Sequence, residues 1–328
     1  MIIELDASII STGNAVGKKE FEGPLGIYFD IHDENDRFGQ NTWEKAESEM
    51  QRLAFNLALK KAHLGFDDVG ALFAGDLLNQ CVGSSYGLLG CNIPYFGIYG
   101  ACSTSAEGLI LAATMTTHKV FDRCAVVTSS HNCSAERQFR SPIEYGGQRT
   151  PTSQWTVTGS GAFVVGGEDA GRVRLTAALP GRVIDKGIND ANNMGAAMAP
   201  ALCDTFCRFF GESGSKPKDY DLIVTGDLGH EGAAILRELM AVEGYDMGEN
   251  FTDCGILMFD KDKQDTHAGG SGCGCSASVL SAYIIPQIEE GRFKKTLFVA
   301  SGAMMSPDSI KQGQSIPAVG HLVMLEGE

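Results

Sequence analysis

An α/β fold built from two similar halves is the architecture this sequence predicts. Three ordered echoes predict it. Tyr220–Leu228 (YDLIVTGDL) repeats the pattern of Val69–Leu77 (VGALFAGDL), an apolar strand ending in Gly-Asp-Leu. Cys275-Ser276-Ala277-Ser278 repeats Cys102-Ser103-Thr104-Ser105 at an offset of 173. The same offset, without a gap, lays Phe298–Gly302 on Ala125–Ser129. Repeats in one order imply a duplicated supersecondary unit. The reading is therefore a pseudo-twofold pair of halves, 1–170 and 171–328. Two buried helices, about 103–117 and 276–289, lie at the centre, and a ligand pocket between the halves follows naturally.

The elements justify themselves in order. Residues 1–40 read as a strand and a glycine-punctuated loop, with a solvated acidic cluster from Asp30 to Asp36. Asn41-Thr42 caps a helix from Trp43 to about His63, whose Ala46, Met50, Leu53, Ala54, Leu57 and Ala58 recur at helical spacing. Ala71–Ala74 is a short buried strand. The run Ile93–Tyr99 reaches Gly100, then Cys102, then a helical apolar pattern. Cys124–Ser130 and Phe163–Val165 are further strands. The stretch Met194–Pro200, rich in Met and Ala, reads as a partly helical cover over the pocket or a dimer surface, with ordinary core packing as the plainer alternative.

Cys102 is the residue of greatest chemical interest. A thiol at a helix N-terminus faces unpaired backbone N–H groups and the positive end of the helix dipole, which favour thiolate. Elsewhere the sequence mostly excludes. Its 328 residues carry a formal charge of −15 and no basic run, so nucleic acid and anionic lipid are not partners by long-range attraction. Ten irregularly spaced cysteines and no signal peptide read as reduced and intracellular. No apolar run approaches the ~20 residues of a membrane span. Cys203-x3-Cys207 and Cys273-x-Cys275 lack a second pair at zinc-site spacing, so no metal is expected. Gly269–Gly274 lacks phosphate-loop spacing and reads as close backbone packing.

The duplicated halves, with a cysteine opening a buried central helix, resemble the thiolase superfamily. More narrowly, the sequence resembles the stage V sporulation protein AD family over essentially its whole length. The strings that carry this include Gly75–Gln80, Gly100–Ser105, Thr128–Asn132, Ala135–Arg140, Glu144–Gln148, Thr156–Ala162 and Ala268–Cys273. The resemblance implies a thiolase-like fold in layered αβαβα arrangement, without established catalysis or cofactor. It implies binding of dipicolinic acid, with or without calcium, for uptake into the developing spore. It also implies a homodimer working beside membrane proteins of the same sporulation operon, cytoplasmic and peripherally held at the spore inner membrane.

Condensing enzymes of the superfamily need a cysteine nucleophile, a polar pair and an oxyanion hole. Cys102 matches the nucleophile position. The first polar position falls near Gly226-Asp227, with His230 a few residues on, and the second falls at Cys273, a weak donor. The pair is not carried over, and Cys102 is not expected to catalyse. An acyltransferase using Cys102, with His230 or His131 as base, stays the alternative, and a cytosolic plate for a membrane channel a third. For a flat aromatic dianion, amides after Cys102 and Ser103 supply donors and Tyr99 or Phe96 a wall. His131, Arg140 and Arg149 could hold carboxylates. Asp76 and Asn79, at a strand end, complete the candidate set; Asp76 fits by orienting a donor or meeting a calcium chelate.

Overall fold

A computed structural model describes residues 1–139 and 149–327. Strands β1 (Ile3–Gly17), β2 (Ile31–Asp33), β3 (Ala71–Gly75), β4 (Tyr95–Gly97), β5 (Arg123–Ser130), β6 (Trp155–Thr156) and β7 (Gly159–Gly167) precede β8 (Val173–Leu179). Then come β9 (Leu222–Thr225), β10 (Phe251–Asp253), β11 (Gly270–Ser271), β12 (Lys295–Ala303) and β13 (Ala318–Gly327). The principal helices are α1 (Trp43–Lys61), α2 (Val82–Gly87), α3 (Thr104–Thr117), α4 (Asn132–Phe139), α5 (Met194–Ser213), α6 (Gly229–Val242) and α7 (Cys273–Val279). Among the described residues, no helix is long and apolar enough to cross a membrane.

The sheet order β10-β9-β12-β13-β8-β1-β7-β5-β3-β4 reads the same from either end. The outer three strands on each side run parallel, and the next pairings are antiparallel. The halves join where β1 pairs antiparallel with β8. Alternate side chains leave a strand on opposite faces. Phe73, Val126 and Phe163 of one half, with Val224, Phe298 and Val323 of the other, share a core with α3 and α7. Leu72, Ala74, Ala125 and Val127 face outward to α1. Ile223, Leu297 and Val299 face outward to α5 and α6. Five layers result, α-β-α-β-α, with the two central helices shared.

This geometry corrects the repeat register. Phe73 pairs with Val126, and its mate Val224 pairs with Phe298, so Phe298 answers Val126 rather than Ala125. At the axis the Ser105 and Ser276 hydroxyls touch at 2.7 Å, so Cys102 answers Cys273, not Cys275. The run Ile93–Tyr99 yields only the three-residue β4, exposed at the sheet edge. The Met/Ala stretch is chiefly outer-layer core: Met198, Ala199 and Leu202 pack with Phe206 and Phe210, and only the helix start turns toward the centre.

Candidate functional site

Two short devices bring the site together. Before α3, Ala101 takes a left-handed conformation (φ 51°), which a non-glycine residue adopts at a cost. It presents Cys102 at the tip of the turn, 6% exposed. Opposite, β6 and β11 form a two-residue parallel ladder that aligns Thr156 with Ser271. Gly272 follows with φ 105°, a backbone conformation suited to glycine, and α7 begins.

Cys102 Sγ lies 3.8 Å from Ser271 Oγ. Ser271 Oγ donates to Asp227 Oδ2 at 3.0 Å, as does the Gly272 amide at 2.9 Å. Ser301 Oγ donates to Oδ1 at 2.9 Å. Burial first, and then the Asp227 charge, hold the Cys102 thiol well above the ordinary thiol range. Burial and the nearby carboxylate thus oppose the thiolate that a helix start favours. Desolvation and a carboxylate outweigh the helix dipole, whose effect is confined to its first turn.

A cavity of about 90 Å³ opens against Cys102. Tyr99, Leu77, Ala135 and Phe139 make its apolar wall, with Met194, Ala303 and Met305 beyond; Thr156, Ser271, Asn192 and Glu136 supply polar groups. Thr156 Oγ1 donates to Glu136 Oε1 at 2.9 Å. No His, Lys or Arg lines it among the described residues.

The structure disperses much of the expected set. Asp76 is fully buried and organises its own strand end. It accepts from the Leu78 and Ser84 amides at 2.8 and 2.7 Å, and from Ser84 Oγ at 2.6 Å. Behind it, Gln51 bridges Ser84 and Ser129, and Ser129 donates to Glu47, whose burial lifts its carboxyl to about 8. His131 spends both ring nitrogens inside the protein, on the Asp36 carbonyl (2.8 Å) and the Cys133 amide (3.2 Å), and burial lowers its pKa. Its Nδ1 accepts from an amide, so its Nε2 carries the proton.

Asn79 pairs with Gln138 and is not in the cavity wall, and Ser103 turns back to the Gly100 carbonyl at 2.6 Å. Arg149 is engaged by the Asp265 carbonyl and carboxylate and lies over Trp155. Arg140 lies outside the described residues. His230 opens α6, its amide on the Ala268 carbonyl, and is not in the cavity wall. Asp227, which the sequence placed near the first polar position and echoed in Gly-Asp-Leu, was given no role there; the structure sets it behind Cys102.

The family model described as Stage V sporulation protein AD matches residues 1–326. This chain belongs to the stage V sporulation protein AD family. It is 43% identical over 325 residues to Stage V sporulation protein AD of Bacillus subtilis (strain 168), covering 99% of this chain and 96% of the relative. Solved structures share the fold. One is 3-oxoacyl-[acyl-carrier-protein] synthase III from Aquifex aeolicus VF5, with TM-score 0.57, 16% identity, and 98% and 99% of the two chains covered. Another is cerulenin-bound OleA of Xanthomonas campestris, with TM-score 0.63, 15% identity, and 99% and 98% covered. At such identity the likeness shows a thiolase-like fold alone. In this fold the Cys102 cavity opens at the start of α3, with the Asp227 carboxylate behind the thiol.

Proposed function

We propose that this sporulation-family protein is a non-catalytic binder of dipicolinic acid, taking the ligand as its calcium chelate in the cavity beside Cys102, for uptake into the developing spore. One observation carries the reading: the cavity persists at Cys102, while Asp227 stands behind the thiol and no His lines the wall among the described residues. A wall that brings no His among the described residues suits binding better than carbon–carbon bond formation.

The lining supports the chelate over the free dianion. Tyr99 and Phe139 offer flat walls, and Ser271 and Thr156 offer hydroxyls. Among the described lining residues the acidic side chain is Glu136, which already accepts from Thr156, and acidic oxygens suit a bound cation better than a free dianion. The described residues bring no three-ligand acidic cluster of their own, so the chelate would supply most of the calcium's oxygens. In this reading Asp76 acts by fixing the Gly75–Ser84 turn rather than by touching ligand. The homodimer belongs to the same proposal. Edge strand β4 exposes Tyr95 (41%) and Phe96 (45%), with Tyr86 and Leu89 nearby in sequence, whereas its repeat-mate β10 is mostly buried. An uncovered apolar edge invites pairing with a second copy. Membrane recruitment would come through other proteins of the sporulation operon.

Isothermal titration with dipicolinate, with and without calcium and against monocarboxylate controls, tests the reading. Saturable binding that strengthens with calcium and weakens in Cys102→Trp, which fills the cavity, is expected. Absence of binding in both conditions, with a Cys102 adduct after incubation with acyl-CoA, would overturn it in favour of acyl transfer.

A further inference from the structure

The direction of the hydrogen bonds around Cys102 has a chemical consequence that holds whatever the cavity binds. Asp227 is fully buried at the end of β9, and three donors converge on it: the Gly272 amide and the Ser271 and Ser301 hydroxyls. Burial pushes the Asp227 carboxyl up, and these donors pull it back toward the carboxylate form. Because Ser271 gives its proton to Asp227, its oxygen faces Cys102 as an acceptor. With that oxygen accepting, Cys102 is left to donate in the 3.8 Å contact, as it does toward Asp227 itself, and both require S–H rather than S⁻. A thiolate would need the Ser271 proton for itself, in competition with the carboxylate, and would stand near that second negative charge.

We propose that Asp227 is the positioning residue that keeps Cys102 a neutral, hydrogen-donating thiol, so that the nucleophile position of the fold is held silent by a buried carboxylate that also takes the Ser271 proton. The surrounding groups agree. Cys102 faces Cys273 from α7, Tyr99 from the preceding turn and Glu136 across the cavity; none is a cation. On its other side Asp227 neighbours Asp253, Cys254 and Cys275. Asp253 is committed to the Leu228 and Gly229 amides and to Thr225, and donates nothing toward Asp227. The Asp76 side of the molecule carries no matching relay, since Cys273 donates directly to the Ser129 carbonyl at 2.9 Å.

Asp227→Asn preserves the shape and removes the charge. Its Oδ stays on the Gly272 amide, its Nδ2 turns to the rotatable Ser301 hydroxyl, and the sulfur no longer faces a carboxylate. The test is the pH profile of Cys102 alkylation by iodoacetamide, followed by peptide mass spectrometry. The midpoint should fall by at least about one unit in Asp227→Asn, roughly tenfold more thiolate at neutral pH. The rate gain should be smaller, about threefold per unit, because nucleophilicity falls with pKa. Ser271→Ala, which removes the relay but leaves the charge, should not lower the midpoint. An unchanged midpoint in Asp227→Asn, or a rate raised equally at every pH, would overturn the proposal. Should that variant not fold, wild type decides: the S–H infrared band in the wild-type minus Cys102→Ser difference should persist past the ordinary thiol value of about 8.5. Its loss below that value would also overturn the assignment.

Discussion

The starts of α3 and α7 are the same device used twice, and only one of them makes a cavity. At α3, Ser103 follows the thiol, Ala101 is held at positive φ, and Cys102 looks onto open space. At α7 the matching residues are Cys273 and Gly274. Cys273 is fully buried and bonded to Ser129, and Gly274 lies so close to β5 and β7 that an added Cβ would sit 2.2 Å from the Gly159 carbonyl oxygen and 2.6 Å from the Ser130 nitrogen. One repeat has been closed by letting backbone meet backbone, and the other has been kept open by refusing that contact. The duplicated fold thus supplies two equivalent positions; side-chain size and one turn decide which becomes a site.

The largest effect should come from forcing the closed end apart. Gly274→Ala meets backbone rather than a movable side chain and should cost about 3 kcal/mol, read as a clear fall in Tm. Ser103→Ala, the matching change at the open end, removes one hydrogen bond to Gly100 and should cost about 1 kcal/mol. Equal costs would break the comparison.

A second effect tests what backs the closed end. Glu47 reaches Ser129 and Ser134 while buried, and its carboxyl rises to about 8 from an ordinary 4.5. The folded protein therefore keeps a proton that the unfolded chain releases. Stability from this group is full below about 4.5 and is lost as pH rises toward 8. Glu20, also lifted to about 8, acts with the same sign. His131 and His321, lowered by burial, weaken the fold only below their ordinary 6.5. From pH 6.5 to 8 the Tm should then fall, and Glu47→Gln should flatten that slope by about 1–2 kcal/mol equivalent after allowance for relaxation at the buried site. A flat wild-type profile over this window would refute it.

Thiol accessibility is a third contrast. In the folded protein Cys102 should react with a small alkylating reagent at least tenfold faster than Cys273, despite its own high pKa, because Cys273 has no exposed surface. Peptide mapping after partial labelling reads the ratio directly. Both should label alike in denaturant.

How far the sequence foresaw this contrast depends on what kind of signal each residue carries. The Cys102 helix was legible because a small-residue turn joins an aromatic run to a long apolar helix. The two similar halves with central helices followed from the Gly-Asp-Leu and Cys-Ser echoes, and the five-layer order from the family resemblance. The one-residue slip in register was not legible. Strands buried on both faces are apolar throughout, so Ala125-Val126-Val127 offers no alternation to fix phase. Asp76 and His131 illustrate another limit: a polar residue at a strand end serves a ligand or its own backbone, and only partners distinguish them. Asp76 holds Leu78 and Ser84, and His131 holds Asp36 and Cys133. Asp227 was visible as an echo of Asp76, yet its closeness to Cys102 depends on α7 and β11 meeting β9, contacts far apart in sequence.

The smallest expected effect concerns charge, where the two ends also differ. The closed end buries Glu47 with serine donors around it; the open end presents Glu136 to the cavity beside Thr156. Glu136→Gln removes the negative charge while keeping an oxygen for Thr156. If the ligand enters as a calcium chelate, the variant should bind it several-fold more weakly, about 1 kcal/mol, since a partly exposed carboxylate–cation contact is worth no more. Free dipicolinate should respond in the opposite sense, gaining affinity because a like charge has been removed. Titrations of both forms with both proteins therefore give a sign as well as a size. Weakening in calcium together with strengthening in chelator supports the chelate; weakening in neither makes Glu136 part of the wall only, and returns the open end to shape as its sole distinction from the closed one.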